Sequence, residues 1–213
     1  MDLSLLLALL LSYLIGSIPF SQVVAYLAKG VDLRKVGSRN VGGNNLIQNV
    51  GAGWGVLGGG LDLLKGTAAM WLAQSLGNTA PLLFAAGLAV VAGHNWSIFL
   101  GLRGGKGLAT GAGAIALLAP LEAVACMSIW GLLNWRTGNG TTASFGAFGT
   151  LGIFFLLEGR PLEFFLLGVG VVGLVYLASA RDLAEEARAG GDWTQVLASH
   201  KTPDKKRGRA KTH

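Results

Sequence analysis

Long apolar runs alternate with short polar ones along this chain, and the apolar runs set the first expectations. A helix that spans a bilayer needs roughly 20 mostly apolar residues. Runs of this kind predict spans near 3–27, 53–76, 80–100, 107–119, 121–135, 143–157 and 162–180. The fourth and fifth are short, and read either as a helical pair bent at Pro120 or as one long helix over 107–135. "LSLLLALLLSYLIG" has no basic leader or A-x-A-like cleavage site, so it reads as a retained first helix. The expected architecture is all-α, a polytopic integral membrane helical bundle of about seven transmembrane helices.

Composition agrees. The chain is 52% hydrophobic and 13% charged, with a mean hydropathy of +0.54, which excludes an ordinary soluble domain. No polar linker divides it, which predicts one membrane domain over 1–180 and a basic cytoplasmic tail over 181–213. Glycine stands out, at 34 of 213 residues. Between membrane helices small residues let backbones approach closely, so tight helix packing accounts for most of these glycines. Cys126 is the only cysteine and cannot form an intramolecular disulfide. CxxC and His/Cys metal spacings do not occur, and neither metal nor cofactor is expected.

Charge then suggests an orientation. Every Lys and Arg except Lys65 and Arg160 falls in segments 28–52, 101–106 and 136–142 or in the tail. Seven spans place those segments on one side. The positive-inside rule makes that side cytoplasmic and puts the N-terminus outside, in a multi-pass membrane protein. A single helix over 107–135 would instead turn Arg136 outward. The tail "HKTPDKKRGRAKTH" suits the anionic headgroups of the lipid bilayer, at about 1 kcal/mol per basic residue near the surface. Nucleic acid is not expected as a partner.

The polar segments carry the candidate chemistry. "DLRKVGSRNVGGNNLIQNVG", residues 32–51, holds Arg34, Lys35, Gly37, Ser38, Arg39, Asn40, Gly42 and Asn45. It is too polar to span and too apolar for a plain solvent loop. It reads either as an interfacial loop with snorkelling cations or as an anion cradle, whose glycines let backbone N–H groups converge. "GLRGGKGLATG", residues 101–111, is not a Walker A loop, because Leu100 and Gly107 stand where a glycine and a hydroxyl are required. Lys106, flanked by Gly104 and Gly105 at the start of an apolar helix, nevertheless favours an anion.

Upstream, His94 in "GHNW" reads as a packing residue or a functional one. In "RTGNGTTASFG", residues 136–146, Thr141, Thr142 and Ser144 are helix caps or site residues. Asp62 and Lys65, three apart, share a helix face and form an ion pair unless Lys65 faces the anion site. The chain offers no carboxylate pair with acid–base spacing and no arguable Ser-His-Asp arrangement. Cations and neutral donors suit the binding and transfer of a phosphorylated substrate better than hydrolysis.

Taken in order, "GSIPFSQVVAYLAKGVDLRKVGSRNVGGNNL", "LDLLKG" and "GHNWSIFLGLRGGKGLATG" resemble the PlsY family of bacterial acyl-phosphate–glycerol-3-phosphate acyltransferases. The resemblance runs from about residue 14 to 146 and more weakly to 192. It implies transfer of an acyl group from acyl phosphate to glycerol 3-phosphate, giving lysophosphatidic acid in phospholipid synthesis. By position it implies catalytic roles for Lys106, Ser38, Thr142 and Ser144. Substrate binding falls to Gly37, Asn40, Gly42, Asn45, His94, Gly104 and Gly105. From the residues themselves, Arg34, Lys35, Arg39 and Lys65 join that binding set.

This chain departs from the family pattern at several positions. Arg39 replaces a glycine, Asn44 a threonine and Ser97 a proline, and Gln48 stands where the family has a functional arginine. A C-terminal histidine, asparagine and arginine become Ala180, Leu183 and Glu186. These last losses keep a second reading open, a divergent member that binds acyl phosphate or phospholipid, or uses another acceptor. A third reading, a small transporter or structural membrane protein, would call for an internal repeat with paired broken helices, which the chain does not display.

Overall fold

The computed structural model describes residues 3–138, 140–160 and 162–188, the last eight as backbone alone. The chain forms α1 (Leu3–Ser17), α2 (Phe20–Lys29), α3 (Gly43–Asn49), α4 (Ala52–Leu76), α5 (Ala80–Asn95), α6 (Leu108–Ala116), α7 (Pro120–Thr137), α8 (Gly140–Leu157) and α9 (Leu162–Arg188). Short 3-10 turns lie at Leu33–Lys35 and Ile98–Leu100. Segments 3–29, 80–100, 140–157 and 162–180 are long and apolar enough to cross a membrane. α4 has 25 residues, about 37 Å at 1.5 Å per residue.

The sequence predicts one helix over 3–27, and the structure divides it. Pro19 has no N–H and disfavours helical backbone at the residue before it. It sits at φ −92°, ψ 67°, between α1 and α2. The 107–135 region is the helical pair: α6 ends at Ala116, and Pro120 opens α7. The last predicted span continues as helix to Arg188, so the expected boundary at 180 falls inside α9. The rest of the predicted basic tail, 189–213, lies outside the described residues.

Contacts between connections define two ends of the bundle. At one end Val41 meets Gly104, Arg34 meets Leu100 and Lys106 meets Thr141. At the other end Glu122 meets Arg160, and Ala80, Leu118 and Glu163 line one crevice. The three polar segments therefore share one end.

The core is built from small side chains and a few large ones. Alanines 69, 73, 86, 114, 119 and 147 are buried with Met70, Val90, Val91, Ile115, Phe148, Leu151 and Phe155. Two helix crossings are tight enough to require glycine. In the α4–α6 crossing, a Cβ at Gly66 would collide with the Thr110 carbonyl oxygen, and one at Gly113 with that of Leu63. In the α1–α5 crossing, Gly16 abuts Val90 and Gly93 abuts Tyr13 in the same reciprocal way. Dispersion contact over such crossings holds helices together where no water is released.

Replacing Gly113 with leucine should therefore lower the melting temperature in detergent, with an overpacking cost of about 1–3 kcal/mol. Gly131, with open space around it on α7, is the control. Gly131→Leu should melt as the unmodified chain does.

Candidate active site

The site begins with a loop folded around one side chain. Asn45, buried on α3, donates from Nδ2 to the carbonyls of Leu33, Val36 and Asn40 at 3.0, 3.1 and 3.0 Å. Its Oδ1 accepts the Ser38 N–H at 3.2 Å and Asn49 Nδ2 at 2.8 Å. The two Nδ2 hydrogens are thus shared among three backbone acceptors while Oδ1 takes a backbone donor, which ties residues 33–45 together and presents Gly37, Ser38 and Arg39 at the surface. Arg39 adopts φ +56°, a left-handed conformation that favours glycine. A glycine there would take it without cost.

Arg34 and Lys35 lie beside this loop. Arg34 pairs with Asp32 through Nε and NH2, both at 2.9 Å, and reaches the Leu100 carbonyl at 3.4 Å. The Arg34 guanidinium holds the Asp32 carboxyl below the usual carboxylate range. Much of the Arg34 charge is engaged in fixing the loop, while Lys35 is exposed.

The glycine–lysine segment docks against the serine loop, the Val41 N–H donating to the Gly104 carbonyl at 3.2 Å. Lys106, half-buried, donates from Nζ to Thr141 Oγ1 at 2.8 Å. Gly107, at φ +77°, then turns the chain into α6. Asn44 reaches the start of α8, where its Nδ2 lies 3.8 Å from where a Cβ on Gly140 would be. Segments 37–45, 104–107 and 140–141 thus converge around Lys106.

The hydroxyls at the start of α8 divide their roles in a way that residue alignment misses. Thr141 meets Lys106, and Thr142 is exposed one position on. Ser144 is buried and donates to the Gly140 carbonyl at 2.7 Å. The repeated hydroxyls of "GTTAS" flagged the region, but helical phase decides which one faces the lysine.

Lys65 and His94 lie behind the loops. Asp62, Lys65 and His94 are 1%, 4% and 7% exposed. Lys65 Nζ lies 3.0 Å from Asp62 Oδ1 and donates to the Ile18 carbonyl at 2.7 Å. Asp62 Oδ2 accepts Ser21 Oγ at 2.6 Å, and His94 Nδ1 lies 3.7 Å from Asp62 Oδ1. Lys65 therefore serves the interior, as the ion-pair reading expects. Asn40 and Gly42 stay in the loop, joined by a Gly42 N–H bond to the Asn40 carbonyl at 3.1 Å. Among the described residues no group of three His, Cys, Asp or Glu side chains could hold a metal ion. The side chains of Leu183 and Glu186 lie outside the described residues.

Known proteins share this chain's sequence pattern and fold. The glycerol-3-phosphate acyltransferase family model matches residues 6–186. Glycerol-3-phosphate acyltransferase 1 of Deinococcus radiodurans is 48% identical over 134 residues, 60% of this chain and 67% of that protein. The match to the Desulforamulus reducens enzyme spans 60% of that protein's length, at 44% identity. Glycerol-3-phosphate acyltransferase 4 of Dehalococcoides mccartyi is 36% identical over 83% of this chain and 97% of its own length.

Crystal structures of PlsY (YgiH), an integral membrane glycerol 3-phosphate acyltransferase, superpose along nearly their whole length. The glycerol 3-phosphate form gives a TM-score of 0.75 at 33% identity, covering 91% of this chain and 98% of that one. The lysophosphatidic acid form gives 0.74 at 31% identity, covering 92% and 99%. With the family model matched from the first helix into the last, and a solved member sharing the fold, this chain belongs to the glycerol-3-phosphate acyltransferase family.

Proposed function

We propose that this chain transfers an acyl group from acyl phosphate to glycerol 3-phosphate, releasing phosphate and forming lysophosphatidic acid. The observation that carries this reading is the convergence of the Ser38 loop, the Gly104–Lys106 segment and Thr141 at one end of an apolar bundle. An amphiphilic substrate needs that combination, a polar anion site beside a surface that accepts an alkyl chain.

The glycerol hydroxyl oxygen attacks the acyl carbonyl carbon, the carbon–oxygen bond to phosphate breaks, and the hydroxyl proton passes to a phosphate oxygen. Phosphate is already a good leaving group, so positioning and charge neutralisation matter more than a strong base. Lys106 supplies the charge. The first amides of α6 point their unpaired N–H groups the same way. Ser38 and Thr142, both exposed at this end, donate to the carbonyl or phosphate oxygens. Thr141 holds the lysine in place. Arg39 and Lys35, exposed on the serine loop, take the acceptor's phosphate.

The basic end faces the cytoplasm by the positive-inside rule. In this reading α1–α2, α4, α5, the 107–119 segment that contains α6, α7, α8 and α9 make seven passages through the cell membrane and leave the N-terminus outside.

Ala180, in place of the family histidine near the end of α9, favours the second reading, a changed acceptor site. A transfer assay with palmitoyl phosphate and labelled glycerol 3-phosphate decides between the two. Lysophosphatidic acid should form, and Lys106→Ala should lower turnover by about a hundredfold or more while the protein stays folded in detergent. Binding of palmitoyl phosphate without product would instead place this chain with a different acceptor.

Arg39→Gly separates the loop's conformation from its charge. Removing the left-handed strain should raise stability by about 1 kcal/mol, read as a higher melting temperature. Losing the cation should raise KM for glycerol 3-phosphate. Orientation is read by cysteine substitution in intact cells. A cysteine at Arg103 should resist a membrane-impermeant maleimide, and one at Gly159 should react.

A further inference from the structure

We propose that Asp62 is a positioning residue for Lys106 and acts through His94. Its carboxylate sets the imidazole against which Gly105 rests. The inference builds on the acyl-transfer reading for its kinetic arm only.

Asp62 is held by groups on different helices, Ser21 of α2 at 2.6 Å and Lys65 of α4 at 3.0 Å, and it faces His94 of α5 at 3.7 Å. Lys65 already balances its charge, so the histidine is not needed as a counter-ion. The position of the ring explains its presence. Nε2, on the edge away from Asp62, faces Gly105 so closely that a methyl there would collide with it. The same methyl would lie 2.6 Å from the Val41 carbonyl oxygen.

The backbone closes the arrangement. The Gly105 N–H donates to the His94 carbonyl at 3.0 Å, and the Gly104 carbonyl accepts the Val41 N–H at 3.2 Å. A stretch without side chains is thus held between a histidine ring and the serine loop, and Lys106 is the next residue. At 3.7 Å the carboxylate and Nδ1 stand just beyond hydrogen-bond range, so Asp62 acts on the ring by its charge, which favours the orientation that turns Nδ1 toward it and Nε2 toward Gly105. Rotation of the ring about its last torsion would move the surface under Gly105, and the charge opposes it. The carboxylate never meets substrate, yet it fixes the height of Lys106 and the contact between the two loops.

Asp62→Asn keeps the size of the side chain and removes the charge that faces Lys65 and His94. The full-length chain in detergent should show amide hydrogen exchange about tenfold faster or more at residues 103–107 and around Val41. Residues 82–92 of α5 should keep their protection. In the transfer assay kcat should fall about tenfold or more, with KM for glycerol 3-phosphate within about twofold of the unmodified value.

Unchanged exchange at 103–107, or faster exchange spread evenly over all helices, would overturn the proposal, the second outcome marking Asp62 as a residue of general stability. If Asp62→Asn fails to fold, His94→Phe decides. It keeps a flat ring and the Asp62–Lys65 pair but cannot engage the carboxylate, and it should loosen the same segment. Full protection there would overturn the proposal equally. Absence of acyl transfer in the unmodified chain would refute the functional reading and leave the exchange arm standing.

Discussion

A backbone carbonyl that loses its helical partner inside an apolar bundle must find another donor, because no water is present to supply one. Much of this structure follows from the single place where that happens early in the chain. Pro19 breaks the first apolar segment and leaves Ser17 and Ile18 at the gap. Ser97 Oγ donates to the Ser17 carbonyl at 2.5 Å, and Lys65 Nζ to that of Ile18 at 2.7 Å. Each unsatisfied carbonyl would cost about 1–3 kcal/mol. The lysine that closes the gap brings its own charge, which Asp62 answers, and Asp62 in turn faces Ser21 and His94. The polar interior is thus a consequence of the break, and it ends directly beneath the loop that carries Lys106.

The packing around this interior has little freedom to adjust. At the α1–α5 and α4–α6 crossings backbone meets backbone through glycine, so the helices there have no side-chain layer that could yield. The end of α5 is also tied elsewhere. Tyr13 Oη donates to the Trp96 carbonyl at 2.7 Å, and Asn95 Nδ2 to the Leu174 carbonyl of α9 at 3.1 Å. Residues 94–97 therefore join α1, α4, α9 and the glycine loop. Ser97 adds its hydrogen bond to the Ser17 carbonyl at this junction.

Much of this was legible in the sequence, and the rest was hidden for identifiable reasons. Apolar length alone located the long helices, and the polar segments stood out by contrast. Asp62 and Lys65 were legible as a pair because three residues in a helix place them on one face. The break at Pro19 was not foreseen, since the apolar run continues unbroken through it. The choice of Thr141 over Thr142 depends on the phase of α8, which "GTTAS" does not reveal. Asn45 looked like one more donor in a polar stretch. Its role as the centre of the loop depends on five partners, from Leu33 to Asn49, that only folding brings within reach. Arg39 was visible as a departure, but its left-handed backbone was not.

The placement of Asp62 and Lys65 on one helix bears on how the chain is made. Each would cost about 2.5–3.5 kcal/mol to insert alone at the centre of a membrane helix. Being i and i+3 on α4, they meet at 3.0 Å without any other part of the fold. The segment can leave the translocation machinery as a locally neutral unit, before α5 to α9 have been synthesised. The Ile18 and Ser21 partners are by then already in the bilayer. His94 joins one helix later, and the polar site waits for Thr141, so the buried charges are settled well before the surface they support exists.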